Sequence, residues 1–158
     1  MSKINLDNLN RAHDKRFKAK RIEIECEGET FPVKVDLVFK DSKIRELVSK
    51  TAEDMEQAEA KGLADEILVI SNMNIIRTFT DVDFTEDLSK NLQMFEVMTD
   101  LGITEKILNA FDENEFEKIT EYMNQIQENL PKVLEALKEN NENLDIQQML
   151  SGDSGGIN

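Results

Sequence analysis

Two runs of alternating residues stand near the start of the chain. Ile22, Ile24 and Cys26 alternate with Arg21, Glu23, Glu25 and Glu27, and Phe31, Val33, Val35, Leu37 and Phe39 alternate with mostly polar residues. A period of two sends successive side chains to opposite faces, so each run predicts a half-buried strand. Glu27-Gly28-Glu29-Thr30 separates them, and a short glycine-containing loop between alternating runs predicts a hairpin. Pro32 falls near the start of the second strand, where a missing N–H is tolerated. Cys26 lies on the apolar side and reads as a small core residue rather than a reactive thiol.

After Phe39 the period changes to that of a helix. Asp41 or Ser42 can cap a helix from Lys43, with Ile44, Leu47, Val48, Met55 and Ala58 on one face and Gly62 as its stop. Leu63 to Phe79 is the most apolar stretch. Its length, and the acidic first turn at Ala64-Asp65-Glu66, favour a central helix over a buried strand. Asp83-Phe84-Thr85-Glu86 fits a capping box for a helix carrying Leu88, Leu92, Phe95, Met98 and Leu101, which Gly102 would end. A short helix with Ile103, Ile107, Leu108 and Phe111 follows. A second box at Asp112-Glu113-Asn114-Glu115 precedes Phe116, Ile119, Met123, Ile126 and Leu130, spaced 3, 4, 3, 4. Pro131 predicts a kink or a fresh start before Val133, Leu134 and Leu137.

The ends lack a sustained period. Residues 1–20 hold isolated Ile4, Leu6, Leu9 and Phe17, which predicts a flexible arm. Beyond Asn140 comes a polar break, a small apolar cluster of Leu144, Ile146, Met149 and Leu150, and a Gly/Ser-rich end. That cluster can serve as a docking peptide or fold back on the body. The expected organisation is a basic arm over 1–20, one α+β domain over 21–139 and a flexible tail over 140–158. The fold class is α+β, mainly α: an N-terminal hairpin packed on a bundle of about five helices.

Charge sharpens this picture. The 158 residues carry a net charge of −14. Residues 1–21 hold seven basic and two acidic residues, so a basic arm leads a strongly acidic body. Such a body repels phosphate backbones and anionic lipid heads, so neither nucleic acid nor a membrane surface is the expected partner. The arm itself interleaves only Phe17 with its basic residues, which is poor for stacking on single strands; an acidic protein surface suits it better. The longest apolar run, Ile67 to Ile70, is far too short to span a bilayer, and Met1 to Asn10 has no signal-peptide core. With one cysteine and no signal peptide, a cytoplasmic location is expected.

Catalytic and metal chemistry find little support. One histidine, His13, and one cysteine, Cys26, cannot make a His/Cys metal cluster. Calcium loops starting at Asp81 or Asp112 fail, because Glu86 takes the required glycine position in the first and Phe116 a ligand position in the second. The paired carboxylates Glu23 and Glu25 share the polar face of a strand. Glu113, Glu115 and Glu117 crowd a helix start, where the dipole favours them. There is no glycine-rich phosphate loop and no nucleophile elbow. No catalytic residue, cofactor or metal is expected.

The layout resembles the tail assembly chaperones of long-tailed phages and prophages of Gram-positive bacteria. The likeness is carried by residues 79–130, "FTDVDFTEDLSKNLQMFEVMTDLGITEKILNAFDENEFEKITEYMNQIQENL", above all "MTDLGITEKILNAF", and by the hairpin "RIEIECEGETFPVKVDLVF". It covers roughly residues 20–140 and has no catalytic signature to check. It implies a non-enzymatic protein of the host cytoplasm that binds the long helical tape-measure protein, keeps it soluble during tail assembly, and self-associates. It also implies that the Gly/Ser-rich end, Ser151 to Asn158, would suit a linker into a frameshifted longer product.

A holdase needs apolar surface for a helix and acidic charge to stay soluble. The candidate partner-binding residues are Leu88, Leu92, Phe95, Met98, Phe116, Ile119, Met123, Ile126, Leu144, Ile146, Met149 and Leu150. The spare hairpin edge is a further candidate surface. Residue by residue, core packing competes with each stripe assignment. The methionines Met55, Met73, Met94, Met98 and Met123 suit either a core or an adaptable binding surface. Two rival functions remain: a small adaptor or regulator acting through the basic arm, and an enzyme with an acidic Mg²⁺ or Mn²⁺ site.

Overall fold

The computed structural model describes residues 3–152, and among these the side chains other than those of Ala64, Val133 and residues 144–152. The hairpin pairs β1 (Ala19–Cys26) with β2 (Glu29–Asp36) antiparallel, Cys26 opposite Glu29 and Ala19 opposite Asp36. The turn is only Glu27 and Gly28, with φ of 50° and 81°. A two-residue loop with both residues left-handed matches the twist of the strands, so pairing extends closer to the tip than the sequence predicts. Ile24, Val33 and Val35 are buried on one face, while Arg21, Glu23 and Glu25 lie exposed on the other.

Six helices occur among the described residues: α1 (Leu6–Arg16), α2 (Asp41–Ala60), α3 (Ile67–Phe79), α4 (Leu88–Asp100), α5 (Ile103–Ala110) and α6 (Glu113–Gly152). The mainly helical α+β class with its N-terminal hairpin is therefore as expected. A single 3₁₀ turn, Ala64–Glu66, leads into α3. The chain divides into two compact units, Met1–Ile119 and Thr120–Asn158.

In the first unit α3 is central. It packs on α2 and α4, and Ile70, Met73, Ile76 and Phe79 are fully buried. Phe39 stacks on Phe79 with ring centroids 3.7 Å apart, and Phe111 and Phe116 meet Phe39 edge-on at 5.4 and 5.7 Å. Glu115 fastens this cluster by accepting the backbone N–H of Phe39 at 2.8 Å, while its carboxylate also pairs with Lys118 at 2.7 Å.

Four local expectations are corrected. Residues 6–16, expected to lack regular structure, form α1: Asn5 Oδ1 caps it by accepting the Asn8 N–H at 2.9 Å, and Asp7 and the His13, Lys15, Arg16 end suit its dipole. It buries no residue, which is why no apolar period betrays it. α4 begins at Leu88 with Asp87 as cap, not Asp83, because Thr85 is held out of helix by Asn91. α6 runs through Pro131 without a fresh start. The carbonyl of Gln127, which loses its partner there, is on an exposed turn that water can reach. The same helix continues to Gly152, so residues 140–152 are helical rather than irregular tail; no glycine or proline interrupts them before Gly152. Of the Gly/Ser-rich end, residues 153–158 lie outside the described residues.

In the second unit, residues 120–152 are α6, and Met123, Leu130, Leu134 and Leu137 are exposed.

Candidate partner-binding groove

α4 carries more apolar residues than one buried face needs. Leu88, Phe95 and Met98 point inward with Asn91 and are buried. A neighbouring stripe of Met94, Val97 and Leu101, at i, i+3 and i+7, faces a groove of about 600 Å³. Phe31, Pro32 and Val33 of β2 form its second wall, Val82 and Asp83 one end, and Ile103 and Ile107 of α5 the floor with Met98. Phe31, Val97 and Leu101 remain 38%, 51% and 43% exposed, so large apolar side chains meet solvent in one concave place.

The segment between α3 and α4 is shaped by polar staples. Asn91 is buried, and its Oδ1 accepts the Thr85 N–H and hydroxyl at 2.8 and 3.0 Å while its Nδ2 donates to the Thr85 carbonyl at 2.7 Å. Arg77 donates to the Thr85 carbonyl at 3.1 Å and pairs with Glu86 at 3.3 Å. Asp81 accepts the Lys34 N–H at 2.7 Å, and the Asp81 N–H donates to the Lys34 carbonyl at 3.2 Å. This last pair also occupies part of the outer edge of β2. On β1, Lys106 donates to the Glu25 carbonyl at 3.2 Å. Both edges of the hairpin are thus partly engaged, and the spare edge is shorter than expected.

The groove rim carries Asp81, Asp83, Lys90 and Gln93. An apolar floor with an acid-weighted rim suits an amphipathic helix with basic flanks. The α4 side of the groove carries Met94, whose unbranched side chain fits varied shapes.

The structure sorts the residues expected to bind a partner. Leu88, Phe95 and Met98 belong to the buried face of α4; only Met98 also reaches the groove. Leu92 is half-buried and lines a separate recess of about 520 Å³ with Leu63 and Val69. Phe116 and Ile119 are half-buried, Phe116 within the aromatic cluster. Met123 is exposed and Ile126 half-buried, both in the second unit. The side chains of Leu144, Ile146, Met149 and Leu150 lie outside the described residues, although the backbone there is helical. The spacing places Phe31 on a strand and Met94 only among the methionines that suit a core or a binding surface, and it does not single out Val97; the surplus of apolar positions on α4 was the available signal.

Chemistry-bearing residues do not converge. His13 contacts Phe17 at 4.8 Å between ring centroids and Asp14 at 3.6 Å, whereas Cys26 Sγ lies 3.8 Å from the Leu101 carbonyl. Among the described residues no group of three or more His, Cys, Asp or Glu side chains could hold a metal ion, and no helix is long and apolar enough to cross a membrane. Buried Asp54 is engaged by Asn74 and Lys50 and does not open into a cavity wall of the groove.

A family model described as YomO matches residues 6–154. No curated protein and no solved structure matches the chain.

Proposed function

The chain belongs to the YomO family, whose name is a phage- and prophage-associated one, and from that premise we propose that it is a non-enzymatic tail assembly chaperone for the tape-measure protein. The observation that carries this reading is the groove between β2 and α4, where Phe31, Met94, Val97 and Leu101 offer a partly exposed apolar surface. A tape-measure protein is a long helix-rich chain that needs its apolar stripe covered until the tube forms around it. A carrier with a net charge of −14 stays dispersed while holding such a client. The work is done in the host cytoplasm, and no covalent step is involved.

The test is co-expression of the tape-measure protein from the same phage genome with and without this chain. The client is expected in the soluble fraction only when the chain is present, and bound to it on affinity capture. Equal solubility in both cases, with no capture, overturns the reading.

A second reading is favoured by α1. This helix buries no residue, leaves Leu6 and Leu9 exposed beside its basic residues, and has the form of an element offered to a partner. An adaptor acting through α1 loses all binding when residues 1–16 are removed, whereas a chaperone acting through the groove keeps its client.

A further inference from the structure

The second unit offers an interface of a different kind. Reading α6 in heptads with Met123, Leu130 and Leu137 at a places Ile126, Val133 and Asn140 at d by sequence spacing. Met123, Leu130 and Leu137 are 41%, 49% and 53% exposed, so this stripe is bare on a single chain. Residues 120–143 contain seven charged residues, and every one falls at b, c or f. Glu121, Glu128, Glu135 and Glu142 recur at f, the position opposite the seam. The flanking e and g positions carry none; Leu134 and Ala136 there extend the apolar face.

This arrangement selects the occupant. Identical acidic helices repel one another unless their charges stay away from the contact, and here the flanks are charge-free along the whole seam. A basic partner would instead be matched by acidic e and g positions, which are absent. Asn140 at d is satisfied when it meets its own counterpart in a parallel, in-register assembly; a shift by one heptad sets its amide against Val133, the neighbouring d residue. Leucine at a with β-branched residues at d favours more than two helices, and an apolar face broadened at e and g is what such a bundle buries. Pro131 falls at b, on the outer surface, so its missing N–H does not enter the seam.

We propose that residues 120–143 of α6 form a parallel coiled coil with the same segment of further copies of this chain, three or four in all. This does not rest on the identity of the client.

Sedimentation equilibrium of the full chain, purified alone at micromolar concentration, tests it. The expected mass is three or four times the 18.1 kDa of one chain. Leu130→Asp with Leu137→Asp is expected to reduce it to a single chain, while Glu128→Gln with Glu135→Gln, at f, leaves it unchanged. A Cys26→Ser, Asn140→Cys chain is expected to give disulfide-linked pairs on mild oxidation, a readout that needs no disruptive variant. A wild-type mass of one or two chains, an undiminished mass in the double-aspartate variant, or no cross-link through position 140 overturns the proposal. A seam that stays monomeric alone but is covered on adding the tape-measure protein also overturns it, and assigns the stripe to the client.

Discussion

The side-chain nitrogen of Asn74 in α3 donates to Asp54 Oδ2 in α2 at 2.9 Å, with both side chains buried. Lys50 approaches the other carboxylate oxygen at 3.3 Å from one turn earlier on α2, while Asn74 Oδ1 has no partner. A buried carboxylate is costly unless paired and hydrogen-bonded, so this relay tolerates loss of its acceptor poorly. Asp54→Ala is expected to destabilise the protein by about 2–3 kcal/mol in urea denaturation, since it removes the closer acceptor of the Asn74 amide, leaving it only Thr51 Oγ1 at 3.4 Å, and takes the carboxylate from Lys50. Asn74→Ala is expected to cost less, because it also removes an unsatisfied oxygen and leaves Asp54 to Lys50. Equal losses would show that packing, not the hydrogen bond, dominates.

Gly102 separates α4 from α5 with φ of 72°. A Cβ there would meet nothing within 4 Å, so the cost of a side chain is conformational alone. Gly102→Ala is expected to lower stability by about 1 kcal/mol and Gly102→Asn by less, as asparagine tolerates the left-handed region. Thermal melts of the two variants decide this, and a stabilised alanine variant would contradict it.

Val97 and Leu101 face the groove from half-exposed positions. Val97→Gln with Leu101→Gln is expected to abolish client capture while changing stability by no more than about 0.5 kcal/mol per site, the usual range for surface positions. Undiminished capture by a folded variant would move the client site elsewhere.

Since α1 buries nothing, removing residues 1–16 is expected to leave the melting temperature of the remainder nearly unchanged, within about 1 kcal/mol of stability. Client capture should persist at low salt and at high salt. Loss of capture on this deletion would favour the adaptor reading.

Millimolar Mg²⁺ or Mn²⁺ is expected to leave the melting temperature where it is, because no cluster of three metal-ligating side chains exists among the described residues. A ligand that binds only the folded state must raise it by mass action. A clear upward shift would revive the metal-enzyme alternative.

Much of the fold was legible from local pattern. Alternation from Ile22 to Phe39 marked both strands, and the apolar density of 63–79 marked the central helix. Elements whose stability does not come from an apolar face were not legible. α1 depends on its Asn5 cap and end charges, and α4 starts at Leu88, capped by Asp87, because Asn91, buried six residues beyond Thr85, draws that residue out of helical geometry. The asparagines of 140–143 predict a break, yet the helix continues to Gly152, because asparagine costs only about 0.7 kcal/mol relative to alanine and does not stop a helix already running. The groove was half legible. Met98 stood in the expected stripe, but Met94 and Val97 lie on the adjoining one, and Phe31 comes from the other side of the unit.

The sequence by itself determined the period of each element, the hairpin and the acidic body. These are properties of neighbours along the chain, set by backbone geometry and composition. Only the tertiary structure decided which apolar stripes are covered. α3 takes the Leu88, Phe95, Met98 face of α4 into the core, and β2 stands off from the Met94, Val97, Leu101 face, leaving a groove. A helix announces that it has an apolar face through its own spacing; whether another element lies against that face depends on contacts between residues far apart in the chain, and no local period encodes them.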